Sequence, residues 1–293
     1  MHFRGAPKSG VCIAAGENDT NLTITPATQV TPLLVLSIDG GTTWETVTLN
    51  PSGPGIFNAA SCSGDVVADT VCTVAGVSGT TTNPPTIPPT SPIPLLLTSI
   101  NGGSSWNTIT NIPNLPTLGS FSATSCTGSG IDAVCVAAGQ NNSTSQPSPL
   151  LVESVGGSIW SKASVPQLSN NGYFTATSCT GSTSSTICAA VGRNSDGYAP
   201  QPLLVKRMTK VGNWVVSPSP IPWPFSGFYY ATTCTGSGLS ARCIAAGQIQ
   251  YDDISGAPFL VTQTGSDAGK IAIIPNITKT GAFGGTGGTA STS

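Results

Sequence analysis

The chain carries a single imidazole, His2. Ser–His–Asp and Cys–His chemistry both need a histidine beside a nucleophile and a third group to orient it, so neither is expected here. The other reactive set is nine cysteines. Structural zinc sites combine closely spaced cysteines with each other or with histidine. Here eight cysteines instead fall into pairs nine or ten residues apart: Cys62 and Cys72, Cys126 and Cys135, Cys179 and Cys188, Cys234 and Cys243. That spacing suits disulfides across a short hairpin. Asp65 with Asp69, and Asp252 with Asp253, offer oxygen ligands, but neither pair completes a calcium ligand series. They read as solvated loop carboxylates, and no metal or cofactor is expected. The terminal "GGTGGTASTS" lacks the Gly-Lys-Ser/Thr ending of a phosphate loop, so residues 284–293 read as a flexible tail.

Ligand recognition is the remaining chemistry. Five residues follow equivalent Ala/Val-rich segments ending in Gly: Glu17, Val77, Gln140, Arg193 and Gln248. If the segments repeat in space, these residues share one face, and four of the five can hydrogen-bond. Variable loops add Tyr198, Trp223 and Tyr251, the last beside Asp252. Aromatic rings next to amides and carboxylates suit sugars, which need both stacking and hydrogen bonds. The candidate ligand-binding set is therefore Gln140, Arg193, Tyr198, Trp223, Gln248, Tyr251 and Asp252.

Composition narrows the class. Charged residues make up 8% of the chain and the net charge is −2, against the ~25% charged residues of average proteins. No cationic patch is available for nucleic acid or anionic lipid. No apolar run reaches the ~20 residues of a membrane-spanning helix. Paired cysteines imply an oxidising compartment, so a secreted or cell-surface location is expected.

The elements that position these residues come from an internal repeat. "GIFNAASC", "GSFSATSC", "GYFTATSC" and "GFYYATTC" share a Gly-x-aromatic-x-Ala-x-Ser/Thr-Cys pattern. Each is followed by a turn and then by "VCTVAG", "VCVAAG", "ICAAVG" or "RCIAAG". These are two strands of a hairpin with a cysteine on each side of the turn. A third strand of the type "PLLVLSI" and a fourth, as in "WETVTL", complete a unit of ~50–60 residues, the size of a β-propeller blade. The chain enters at "SGVCIAAG", a second strand, while "GAFGGTGG" near the other end reads as a first strand. The expected fold is all-β: a single domain over 1–293, a five-bladed β-propeller of four-stranded blades, closed by pairing of the N- and C-terminal strands. One intra-blade disulfide is expected in four blades. Gly288 would then stand opposite Cys12, leaving Cys12 a free thiol.

"SIDGGTTW" (Ser37 to Trp44), "SINGGSSW" (Ser99 to Trp106) and "SVGGSIW" (Ser154 to Trp160) link the third and fourth strands. The first resembles, residue for residue, the Asp-box or BNR repeat of sialidase-like β-propellers. That resemblance implies a structural hairpin remote from catalysis, and turn chemistry agrees: Asp or Asn binds the following amides, Gly supplies positive φ and Trp packs over the hairpin. Sialidases clamp a carboxylate with several arginines from different blades, but Arg4, Arg193, Arg207 and Arg242 share no repeat position. Propellers of the arabinanase type place carboxylates on inner strands, where this chain has Asn58, Ser122, Thr175 and Tyr230. The expectation is therefore a non-catalytic member. It would be a secreted or surface protein binding glycans or another surface ligand, or else a self-associating structural subunit linked by terminal strand exchange; a glycoside hydrolase is the least favoured reading.

Overall fold

The computed structural model describes residues 2–5, 10–18, 30–49, 53–79, 92–166, 168, 171–195, 200–218, 226–251, 254–264 and 270–272. Within them, consecutive strands form five four-stranded antiparallel sheets, each a simple meander. The first holds β1 (His2–Gly5), β2 (Cys12–Asn18), β3 (Thr31–Ser37) and β4 (Glu45–Thr46). The second holds β5 (Gly55–Ser63), β6 (Val71–Ser78), β7 (Ile93–Ser99) and β8 (Asn107–Thr108). In the third are β9 (Gly119–Thr127), β10 (Val134–Asn141), β11 (Ser148–Val155) and β12 (Ile159–Lys162). The fourth comprises β13 (Gly172–Thr180), β14 (Ile187–Asn194), β15 (Gln201–Arg207) and β16 (Val215–Val216). The fifth comprises β17 (Ser226–Thr235), β18 (Arg242–Tyr251), β19 (Ile254–Thr264) and β20 (Lys270–Ala272).

Successive residues of a strand point to opposite faces, and here both faces are apolar because each sheet is sandwiched. Four hydrophobic cores fill the four gaps between consecutive sheets. Ile13, Ala15 and Leu34 of the first sheet meet Phe57, Cys62, Cys72 and Val74 of the second. Val134, Val136 and Ala138 of the third meet Phe174, Cys188 and Trp214 of the fourth. The gaps between second and third sheets and between fourth and fifth are filled in the same way. One face of each second strand therefore looks forward along the chain, and the cysteine-bearing face looks back.

Four disulfides form, joining Cys62–Cys72, Cys126–Cys135, Cys179–Cys188 and Cys234–Cys243. The members of each pair stand directly opposite in the ladder. Beside them runs a repeated bond between sheets. The hydroxyls of Ser61, Ser125 and Ser178 accept the backbone N–H of Cys126, Cys179 and Cys234 at 2.9, 2.9 and 3.0 Å. All three serines are fully buried, where a lost partner would leave the N–H without water.

A bulge recurs in the first strand of sheets two to five, opposite the glycine that ends the Ala/Val-rich segment. A Cβ on Gly76, Gly139, Gly192 or Gly247 would lie 2.0–2.1 Å from a carbonyl oxygen of the facing strand. The bulge residues are Asn58, Ser122, Thr175 and Tyr230. Asn58 Nδ2 donates to the Phe121 carbonyl at 2.8 Å and Thr175 Oγ1 to the Tyr229 carbonyl at 2.7 Å, so both serve to tie one sheet to the next.

The entry of the chain differs from the sequence expectation. His2–Gly5 itself forms the inner strand of the first sheet and places Gly5, rather than Gly288, opposite Cys12. Cys12 is the free cysteine among the described residues. "GAFGGTGG" lies outside those residues. The "MHFRG" stretch lacks the repeat pattern, yet backbone pairing needs no particular side chain.

The hairpin octapeptides behave as turn chemistry dictates. Asp39 Oδ1 accepts the N–H groups of Thr42 and Thr43 and the Ser37 hydroxyl at 3.0, 2.9 and 2.7 Å, while Thr43 Oγ1 donates to Oδ2 at 2.7 Å. Gly40 and Gly41 hold φ of 73° and 93°, a region other residues avoid. In the second copy Asn101 Oδ1 accepts the Ser99 hydroxyl and the Ser105 N–H, while its Nδ2 donates to the Ser105 hydroxyl. Trp44 and Trp160 donate their Nε1 to the carbonyls of Gly41 and Gly157 at 3.0 and 3.1 Å.

Candidate functional site

The residues after the bulge glycines form one tier at the end of the sheets where second strands hand over to third. Cross-strand register sets what each meets. Val77 faces Ile56, Gln140 faces Ser120, Arg193 faces Tyr173 and Gln248 faces Phe228. The tier is thus bland in the second and third sheets and aromatic in the fourth and fifth.

In that aromatic sector five half-buried side chains form two groups on adjacent sheets. The Arg193 guanidinium lies 4.6 Å over the centre of the Tyr173 ring, an attractive cation–π arrangement. Its Nε is buried without a hydrogen-bond partner. Tyr230 Oη donates to Gln248 Oε1 at 2.9 Å, and the Phe228 and Tyr230 rings meet edge to face at 4.6 Å. Burial, and to a smaller degree Tyr173, raises the Tyr230 phenol above the ordinary tyrosine value. Tyr230 is therefore a neutral hydroxyl held in place by an amide. The contacts that organise the sector involve no carboxylate.

The sequence-predicted residues distribute unevenly. Arg193 stands with Tyr173 in the fourth sheet and Gln248 with Tyr230 in the adjacent fifth. Gln140 stands in β10 between Ser120 and Pro149, in a different sector. Tyr251 ends β18. Tyr198, Trp223 and Asp252 lie outside the described residues. Sequence reading missed Tyr173 and Phe228. Each sits between the repeat's glycine and its aromatic, and the signal that would have found them is register: each is the residue facing a tier position.

A second polar group is structural. Arg207 is 2% exposed and pairs with Glu153 of the neighbouring sheet, while Trp214 Nε1 donates to the same carboxylate oxygen at 2.7 Å. Burial lowers the Arg207 value, and Glu153 opposes that shift. Lys210 pairs with Asp132 nearby. These contacts hold the fourth hairpin, whose turn has lost the Asp and Ser of the first.

No family model and no curated protein matches the chain. Among solved structures it is similar to a Hadza microbial sialidase, at 12% identity and a TM-score of 0.45 over 87% of this chain and 54% of that one. It is also similar to a Bombyx mori GH32 β-fructofuranosidase mutant in complex with sucrose, at 13% identity and a TM-score of 0.37 over 92% of this chain and 61% of the other. The chain therefore spans less than two thirds of either neighbour, and no substrate carries across at this identity. Both neighbours are glycoside hydrolases, which corrects the expectation of a non-enzymatic binder or structural subunit. That expectation rested on the absence of Asp or Glu at Asn58, Ser122, Thr175 and Tyr230, of which Asn58 and Thr175 bond between sheets.

Proposed function

We propose that the protein is an exported, propeller-type glycoside hydrolase that acts on carbohydrate in the aromatic sector of the tier. The observation carrying this reading is a pair of half-buried aromatic groups on adjacent sheets, Tyr173 with Arg193 on one and Phe228 with Tyr230 and Gln248 on the next. Phe228 and the Tyr173 ring offer apolar surface to a sugar face. The half-buried Arg193 guanidinium carries N–H donors for sugar oxygens, and Tyr230 with Gln248 can bond hydroxyls. Glycoside hydrolysis commonly employs two carboxyl groups, but a tyrosine nucleophile is an established substitute. Tyr173, with the Arg193 guanidinium 4.6 Å over its ring, is the phenol assigned to that role. The finer architecture goes with this reading: five blades closed into a ring, hairpins of the Asp-box type, and an extracellular location, which the four disulfides support.

The test is a screen of aryl glycosides and native oligosaccharides with the purified chain, disulfides intact. Turnover of at least one glycan is expected, with Tyr173→Phe lowering kcat by roughly 100-fold or more. Arg193→Met should lower kcat/KM. Absence of turnover by the unmodified protein across the screen would remove the proposal.

A further inference from the structure

The turns joining first to second strands, and the hairpins joining third to fourth, lie at the end of the sheets opposite the tier. In the second and third sheets these connections carry aliphatic side chains that turn chemistry does not require. Val66 leads into its turn at a place where the later sheets carry Ser129, Ser182 and Ser237. Ile159 precedes Trp160, whereas Thr43, Ser105 and Asn213 precede the other hairpin tryptophans. Ile131 takes the middle of its turn, a place that Ser184 fills in the fourth sheet. Yet Val66, Ile131 and Ile159 are 52%, 87% and 79% exposed. Single apolar residues in water are ordinary, but a contiguous group marks a contact surface. These are contiguous. Ser129 Oγ donates to Asp65 Oδ2 at 3.4 Å across the two sheets. A Cβ on Gly156 would lie 3.5 Å from the Ile131 Cα, and one on Gly157 3.2 Å from Cγ2 of Ile100 in the second sheet. Carboxylates accompany the aliphatics. Asp65 and Asp69 are exposed, and Asp69 stands where the fourth and fifth sheets carry Ser185 and Ser240. Residues 64–70, 100–105, 128–133 and 156–159 contain no Lys, Arg or His. Lys210 comes from the fourth sheet's hairpin to pair with Asp132, so this end already takes a cation from outside the two sheets.

We propose that this end of the second and third sheets is a docking surface for a lysine- or arginine-rich peptide segment that also presents apolar side chains. The carboxylates attract the cations and orient the approach, while Val66, Ile131 and Ile159 supply the apolar area to be covered. A second copy would bring the same carboxylates face to face, and anionic headgroups of a lipid surface would meet them likewise, so both are repelled. A small polyamine would pair with the carboxylates and leave the aliphatics in water. The tier lies at the other end of the sheets, so a partner held here does not occupy the aromatic sector. The proposal accordingly stands apart from the carbohydrate reading.

Fluorescence anisotropy with a dye-labelled peptide of alternating lysine and leucine tests the surface on the full chain with its disulfides intact. Saturable binding is expected, weakened by added salt, and weaker still when glutamate replaces the lysines or serine the leucines. Ile131→Ser and Ile159→Ser install the side chain that another sheet already carries at each place, Ser184 and Ser105. Each should weaken binding by roughly fivefold. Asp69→Ser should weaken it as well and flatten the salt dependence. Glu17→Gln removes an exposed carboxylate from the tier end and should leave binding unchanged. An unchanged circular dichroism spectrum shows that each variant is folded. Absence of binding, binding that the Ile131, Ile159 and Asp69 variants retain, or equal weakening by Glu17→Gln overturns the proposal. A dimer in solution that Ile131→Ser dissociates assigns the surface to a second copy and overturns it too. Attachment to phosphatidylcholine vesicles that Ile131→Ser abolishes assigns it to lipid, with the same result.

Discussion

Asp39 shows what one exposed carboxylate does when a turn supplies enough donors. The Thr43 hydroxyl, then its N–H, then the Ser37 hydroxyl bring its pKa down from 3.8 to about 2. Because the folded value lies below the ordinary one, the ionised form holds the hairpin. That contribution is present in full above the ordinary carboxylate value and is lost as pH falls from there through about 2. An NMR titration should find the Asp39 carboxyl midpoint near 2; a midpoint near 4 would show that the hairpin does not form as described. Asp39→Asn should keep the hairpin and abolish this titration, since Asn101 already builds the same turn in the second sheet. Arg207 is the opposite case, a cation with 2% exposure whose charge Glu153 balances. Glu153→Leu strands that charge, and unfolding by urea should show a loss of about 3–5 kcal/mol.

At the level of the strand pair, the bulge and the disulfide impose different constraints. Gly139 faces the Ser120 carbonyl so closely that a Cβ would sit 2.0 Å from it. Gly139→Ala must push the strands apart and should cost about 1–3 kcal/mol. Gly16→Ala, with nothing within 4 Å, should cost less, so equal losses at the two sites would argue against the pairing assigned to β1. Closing a short loop, the Cys126–Cys135 disulfide restricts the unfolded chain by about 2–3 kcal/mol in the chain-entropy model. Replacing both cysteines with serine should lower the denaturation midpoint by a corresponding amount without changing the strand content seen by circular dichroism.

Across the whole molecule, the four cores and the serine ladder make each sheet depend on its neighbours. Removing the Ser125 hydroxyl leaves the Cys179 N–H buried and unpaired. Ser125→Ala should therefore destabilise by about 1–3 kcal/mol, far more than an exposed serine such as Ser158. Equal effects of the two substitutions in denaturant melts would show that the ladder carries no weight.

The repeat, the strand types, the hairpin turns and the four cysteine pairs were legible in the residues themselves. Each depends on neighbours a few residues away: a two-residue alternation, a glycine at positive φ, a cysteine on either side of one turn. The pairing of Gly5 with Cys12 was not legible, because His2–Gly5 is placed by backbone hydrogen bonds that leave no side-chain signature. Nor was the structural use of Asn58 and Thr175, whose partners are 63 and 54 residues away. The tier was visible as a repeat position, but not its aromatic sector. Tyr173 and Tyr230 belong to different sheets, whose first strands are tied by the Thr175 hydroxyl bonding the Tyr229 carbonyl. Local spacing determined the elements of this protein, while packing between elements distant in the chain decided which polar groups bind the scaffold together and which remain to meet a ligand.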